Sequence, residues 1–230
     1  MTGQTAVITG ASRGIGAAVA HALADTGAHV IVCARDGDDI EATAEEIREG
    51  GGSATAMRAD VRDEFDVERL MERAAREGGA IDIVVANAGV YHGNPGQTPL
   101  SRESYSAFDD HLRTNARGVF ATIREALPHL AEDARLLISS GVVARNTQAG
   151  FGSYAVSKAA AESVAMHFAD DIAQTVAVLD PGQVATDLTG GQGRDVADVA
   201  GQFRWAAQEA DAATIDGEIL DWRTYRDATE

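Results

Sequence analysis

Tyr154 and Lys158 stand four residues apart in the stretch SYAVSKAAA (153–161), and Lys158 is the sole lysine of a chain that carries 18 arginines. The surrounding alanines predict a helix, which stacks the phenol and the ammonium on one face. A cation fixed beside a phenol favours phenolate and lowers the tyrosine pKa from about 10. Such a pair can exchange a proton with a substrate oxygen near neutral pH. An ordinary surface pair has the same spacing, so the rest of the chain must decide.

A second constellation lies at the other end. Thr9-Gly10-Ala11-Ser12-Arg13-Gly14-Ile15-Gly16 joins an apolar run, TAVIT (5–9), to a segment of helical composition. Glycines at these spacings permit a tight turn and let a pyrophosphate approach the backbone. The following helix start offers free N–H groups and a positive dipole end. In this strand–turn–helix setting the motif predicts dinucleotide binding.

The elements that must position these groups alternate along the chain. Strands are expected at 5–9, 28–33, 54–59, 81–86, 135–139 and 175–179, with a final one at 216–222. Helices are expected at 15–26, 38–50, 64–77, from 101 with a break to 130 (Ser101 as cap), 154–172 and 196–207. Gly27, the run Gly50 to Gly52 and Gly78-Gly79 are natural stops. Short apolar strands alternating with helices predict an α/β fold: a single doubly wound parallel sheet, Rossmann-like, with helices on both faces. No repeat or linker divides the 230 residues, so one domain is expected. Residues 1–90 would serve mainly the cofactor; residues 91–230 would carry the catalytic groups and a short substrate lid at about 187–200.

Composition narrows the partners. A net charge of −17 argues against nucleic acid. No apolar run approaches the roughly 20 residues needed to span a bilayer, and no basic leader precedes the first strand. One cysteine, Cys33, excludes an internal disulfide, and the six histidines lack metal-ligand spacing, so no metal is expected. A cytoplasmic protein follows. The acidic excess with arginine in place of lysine also suits a high-salt interior, although codon bias alone favours arginine.

Across nearly its whole length the chain resembles the short-chain dehydrogenase/reductase family. TGASRGIG (9–16) is similar to its cofactor turn, Asp60-Val61 to its adenine-contacting pair, and Asn87-Ala88-Gly89 to its NAG motif. Asn115 in NARGVF, Ser140 in LLISSG, and Tyr154 with Lys158 match its catalytic set. Pro181-Gly182 with Val184 and Thr186 is similar to its segment beside the nicotinamide. The resemblance implies that Tyr154 exchanges the proton, Ser140 hydrogen-bonds the substrate oxygen, and Lys158 lowers the Tyr154 pKa and holds the ribose. Asn115 would link Lys158 to solvent. Arg could not replace Lys158, because its planar guanidinium does not release a proton. Ser140 precedes Tyr154 by 14 residues where the family has 13, which leaves Ser139 as an alternative. The family's usual double glycine after the last strand is missing.

Cofactor choice is written at the end of the second strand. Ala34 stands where NAD-preferring relatives carry Asp, Arg35 follows, and Arg13 lies in the glycine turn. Two guanidinium groups there favour NADP(H) over NAD(H), with Asp36 as a potential neutraliser of Arg35. The implied function is an NADP(H)-dependent carbonyl reductase or alcohol dehydrogenase with a small-molecule substrate, working as a homodimer or homotetramer. Reduction of a 3-oxoacyl group on acyl carrier protein is the alternative, disfavoured by the repulsion of two acidic partners. A dinucleotide sensor without turnover is the alternative of another class. His92, Arg145 and Phe151 are candidate pocket neighbours.

Overall fold

The computed structural model describes residues 3–230. Seven parallel strands form one sheet in the order β3-β2-β1-β4-β5-β6-β7. They are β1 (Thr5–Thr9), β2 (His29–Ala34), β3 (Ser53–Arg58), β4 (Ile81–Ala86), β5 (Leu130–Ser139), β6 (Thr175–Asp180) and β7 (Ile219–Asp221). Both faces are covered, as near-continuous apolar strands require. Ala6 and Ile8 of β1 pack in the layer with helices α1 (Gly14–Ala24), α2 (Gly37–Glu49) and α7 (Val196–Gln208). Val7, pointing the other way, meets α3 (Glu64–Gly78), α5 (Gly118–Ala126) and α6 (Gly152–Asp171).

The helices follow from their spacing. On α3 the buried Val67, Leu70, Met71 and Ala74 repeat at i, i+3, i+4 and i+7, and Asp63 caps the start by accepting from Phe65 N–H. Leu70 is fully buried; truncating such a side chain to Ala typically costs about 2–5 kcal/mol.

The order of strands reverses beside β1, whose neighbours are β2 and β4. Connections leave in opposite directions at that point and open a crevice at the carboxyl ends of the strands. The glycine turn, the segment after β4 and the β5, β6 ends all reach it.

Several expected boundaries change. Ser101 lies inside a 3₁₀ turn, Leu100–Arg102, and Ser104 caps α4 (Tyr105–His111) instead by accepting from Ala107 N–H at 3.2 Å. The break in that helical region is a π-helical segment, Leu112–Arg117, between α4 and α5. The fifth strand starts at Leu130, where an irregularity between Ile81 and Ile83 of β4 shifts its register. The last strand has only three residues, follows a short helix, α8 (Ala212–Ile215), and runs into another, α9 (Trp222–Thr229). Trp205 packs in the core against Tyr225, and Trp222 lies under Arg194 at 4.0 Å. Both tryptophans are packing residues.

Candidate active site

The glycine turn is shaped for close approach. A methyl group added at Gly10 would stand 2.7 Å from Ala88 Cα, and one at Gly16 would run into the Gly10 carbonyl and lie 2.6 Å from Asn87 Nδ2. Asn87 braces the turn from β4: its amide donates to the carbonyls of Thr9 and Gly10, both at 3.1 Å. Its backbone N–H and that of Ala88 both donate to Thr9 Oγ1. No side chain caps α1, so its first-turn N–H groups have no side-chain acceptor. The donor-rich helix start, the cradle that a Cβ would fill and the switch point fit a dinucleotide phosphate.

Just beyond β2, Arg35 is exposed and makes no ion pair among the described residues. Asp36 is not its neutraliser: it caps α2, accepting from Asp38 N–H at 3.0 Å and Asp39 N–H at 3.2 Å. Arg13 pairs loosely with Asp187 at 3.5 Å. Asp60 is gripped by Arg62 at 2.7 Å, and Arg62 also holds Asp110 at 2.8 Å. Burial pushes the Asp60 carboxyl up, but the Arg62 hydrogen bonds outweigh it and hold the group below its ordinary range. Val61 packs against Gly118.

Strand alternation puts the two serines on opposite faces. Leu137 faces the α1/α7 layer whereas Leu136 and Ile138 face the α6 layer, so Ser140 points toward α6 and Ser139 away from it. Ser140 Oγ accordingly meets α6, where it donates to Glu162 Oε1 at 2.6 Å. Ser139 contributes its backbone carbonyl, which accepts from Lys158 Nζ at 2.9 Å.

Lys158 Nζ lies 6.0 Å from the Tyr154 ring centroid. Burial of the ammonium lowers the Lys158 pKa to about 8, with Glu162 opposing. Burial, then Tyr91 and Asp180, pushes the Tyr154 phenol up to about 12. This corrects the expectation of a lowered phenol: in the protein alone, loss of water outweighs one buried cation whose own charge is depressed. The edge of one ring of the Tyr91–Tyr154 pair meets the face of the other at 4.7 Å.

Asn115 lies in the π-helical segment, a feature frequent at functional positions. Its side chain is fully occupied: Oδ1 accepts from Val90 N–H at 2.8 Å, and Nδ2 donates to Val90 O and Ser157 Oγ, both at 2.9 Å. Both Asn115 Oδ1 and Lys158 Nζ lie beside Gly89. Gly182 N–H donates to Asp180 Oδ1 at 3.0 Å, Pro181 and Val184 are buried, and Thr186 comes alongside Gly14. The segment after Thr186 is held at its base. It is pinned where Val184 and Arg194 form a bridge, and Ala185 N–H donates to Arg194 O at 2.8 Å.

Several neighbours escaped the sequence. His92 is exposed, as a loop histidine can be, and reaches Asp110 at 2.8 Å. Its N–H donates to His111 Nε2 at 3.0 Å, so His111 carries its proton on Nδ1, facing Ser153 Oγ at 2.6 Å. Burial, then the neighbouring His92, lowers the His111 pKa. Glu162 and Asp180 join Arg145 in one buried network. A Glu one helical turn beyond Lys158 was the only sequence signal for it. No metal-binding cluster is present among the described residues, and no helix is long and apolar enough to cross a membrane.

Comparison with known proteins gives a consistent picture. Residues 4–197 match the family model described as short chain dehydrogenase. A versicolorin reductase of Emericella nidulans is 36% identical over 195 residues, covering 82% of this chain and 72% of the relative. The oxidoreductase UcpA of Salmonella typhimurium is 37% identical over 195 residues, with the same coverage. Among solved structures, a dehydrogenase/reductase from Sinorhizobium meliloti superimposes with a TM-score of 0.88 at 31% identity, over 96% of this chain and 94% of the other. A short chain dehydrogenase from Burkholderia cenocepacia in complex with NADP gives 0.86 at 30%, over 96% of both chains.

Proposed function

The chain belongs to the short-chain dehydrogenase family, and from that premise we infer that it is an NADP(H)-dependent oxidoreductase interconverting a small carbonyl compound and its alcohol. The observation that supports the reading is that helix α6, which carries Tyr154 and Lys158, ties in the end of β5 and the π-helical segment: Lys158 Nζ donates to Ser139 O, Ser140 Oγ to Glu162 Oε1 and Asn115 Nδ2 to Ser157 Oγ, with Lys158 Nζ 6.0 Å from the Tyr154 ring. A nicotinamide held there supplies or takes the hydride.

The protein's own part is binding, orientation and proton handling. Residues 10–16 would bind the pyrophosphate through backbone N–H groups, and Arg35 with Arg13 a 2′-phosphate. Asp60-Val61 would hold the adenine. Asn87, Ala88 and Gly89 would wall the ribose, and Pro181, Gly182, Val184 and Thr186 the nicotinamide side. Tyr154 gives its proton to the substrate oxygen during reduction and recovers it during oxidation. A phenol that the protein alone holds high stays protonated, which suits the donor role. Lys158, whose pKa of about 8 lies close to neutrality, can exchange a proton in turn. Asn115 sits in a π-turn, which disturbs the i→i−4 ladder and leaves backbone carbonyls for a relay to solvent. On this reading residues 1–90 serve mainly the cofactor and the rest the chemistry. Phe120 of α5 and Val156 of α6, both 40% exposed, supply apolar surface for a homodimer or homotetramer.

NADPH and NADH oxidation against a panel of ketones, ketoesters and quinones tests the reading. Tyr154→Phe is expected to bind NADPH as wild type does and to lose turnover by about 10²–10⁴-fold. Unimpaired turnover in that variant would remove the mechanism, and binding without turnover in wild type would indicate a sensor.

A further inference from the structure

A hydroxyl has one proton to donate, and Ser140 directs its own at Glu162 Oε1, 2.6 Å away. Glu162 lies one helical turn beyond Lys158, with its side chain only 8% exposed. Arg145, from the loop after β5, donates to the same Glu162 oxygen with one arm and to Asp180 Oδ2 with the other. Asp180 closes the circuit by accepting from Gly182 N–H, in the turn assigned to the nicotinamide side. This network of two carboxylates and a guanidinium therefore sits directly behind the serine and has no place in the proton chemistry described so far.

We propose that Glu162, clasped by Arg145, is a positioning residue that controls which hydrogen-bond role Ser140 offers the substrate oxygen. The proposal rests on the oxidoreductase reading above. While Glu162 is a carboxylate, the Ser140 proton stays on the Glu162 side and the serine lone pairs face the pocket. They repel a carbonyl oxygen and accept from an alcohol hydroxyl. When Glu162 is protonated, it donates to Ser140 Oγ, and Ser140 donates its own proton to the carbonyl oxygen. No proton is transferred; only the donor direction along the pair reverses. Carbonyl reduction thus draws on protonated Glu162, and alcohol binding on the carboxylate.

Charged groups face Glu162 from each neighbouring element: Arg145 from the loop, Asp180 from β6 and Lys158 from its own helix. Burial raises the Glu162 pKa; the Ser140 hydrogen bond and Arg145 oppose that, Asp180 reinforces it, and Lys158 opposes it weakly. Removing Arg145 therefore moves the titration to higher pH, and Glu162→Gln removes it.

The test is the pH profile of kcat and KM for carbonyl reduction in wild type, Glu162→Gln and Arg145→Met, with a carboxyl-carbon NMR titration of the cofactor-free protein. Wild-type kcat should fall about tenfold as Glu162 ionises, the scale of one lost hydrogen bond to a charged or polarised oxygen. That limb should be absent in Glu162→Gln and displaced to higher pH in Arg145→Met. In the cofactor-free protein Ser140→Ala should raise the Glu162 pKa, because the serine stabilises the carboxylate. A Glu162→Gln profile identical to wild type, or a Glu162 titration indifferent to Ser140→Ala, overturns the proposal. Wild type without turnover on any substrate overturns the oxidoreductase reading instead, and the NMR titration then still decides whether Ser140 and Glu162 are coupled.

Discussion

Lys158 Nζ donates to the backbone carbonyl of Ser139 at 2.9 Å, from a side chain almost wholly removed from water. One hydrogen bond does not replace the hydration of an ammonium, and the folded protein holds this group at a pKa of about 8 against the ordinary 10.5 of a lysine. Between those values the unfolded chain binds more protons, so stability rises with pH through that window. Below about pH 8 the buried charge is a constant cost. Tyr154 acts in the opposite direction, from the ordinary phenol range up to about 12.

Comparing wild type with Lys158→Met isolates the lysine, since both proteins keep Tyr154. The stability of wild type relative to the variant is expected to climb by about 3 kcal/mol from neutral pH to about pH 10, at 1.36 kcal/mol per pKa unit. Urea unfolding of both proteins across that range measures it. A constant difference would show that the ammonium is not desolvated. Lys158→Met should also abolish turnover without loss of the fold.

Gly16 is the tightest point of the cofactor turn, where a Cβ would strike the Gly10 carbonyl and crowd Asn87 Nδ2 at 2.6 Å. Backbone is the obstacle, so nothing can swing away. Gly16→Ala is expected to cost about 1–3 kcal/mol, the range for overpacking. For a chain of this length that lowers Tm by about 2–12 °C. NADPH affinity should fall with it. Gly51→Ala, which unlike Gly16→Ala places a side chain at positive φ (+88°) but meets nothing within 4 Å, should leave NADPH affinity unchanged. Calorimetry and cofactor titration of the two variants separate crowding at the turn from general glycine strain.

What the sequence revealed depended on whether a signal was local. The strands at 5–9 and 81–86, the glycine turn and the Tyr154–Lys158 helix are each encoded within a few neighbouring residues, and all appear where expected. The choice between Ser139 and Ser140 needed the alternation of β5 against two packed layers, which the serine spacing alone does not report. Glu162 and Asp180 were invisible because the residue joining them, Arg145, comes from a loop whose path is fixed only by the fold. The phenol pKa went the wrong way for the same reason: a cation at i+4 is readable, but how thoroughly both groups are buried is not. Asp36 looked like a neutraliser of Arg35 until the start of α2 gave its carboxylate two backbone donors.

The net charge of −17 sets a further expectation. At low ionic strength the carboxylate excess repels itself over about 10 Å or more, and at molar salt the screening length shrinks to about 3 Å. Surface ion pairs such as Arg48–Glu41 and Arg117–Glu64 also weaken, but each contributes about 0–1 kcal/mol at most. Repulsion is the larger effect, so stability should rise from low to multimolar KCl. Unfolding curves that coincide across that range would rule out adaptation to high salt.

Arg35 supplies the sharpest test of cofactor choice. It is exposed at the end of β2, its neighbour Asp36 is committed to capping α2, and no carboxylate pairs with it among the described residues. A guanidinium so placed is available to a 2′-phosphate, and a hydrogen bond to a charged group is worth about 1.5–3 kcal/mol. Arg35→Ala should therefore raise the NADPH Kd about 10–100-fold while leaving the NADH Kd within about threefold. Arg13 shares its charge with Asp187 at 3.5 Å, so Arg13→Ala should cost less. Fluorescence titration of both variants with both cofactors gives the comparison. Equal weakening of NADPH and NADH by Arg35→Ala would mean that the residue shapes the pocket without reading the phosphate.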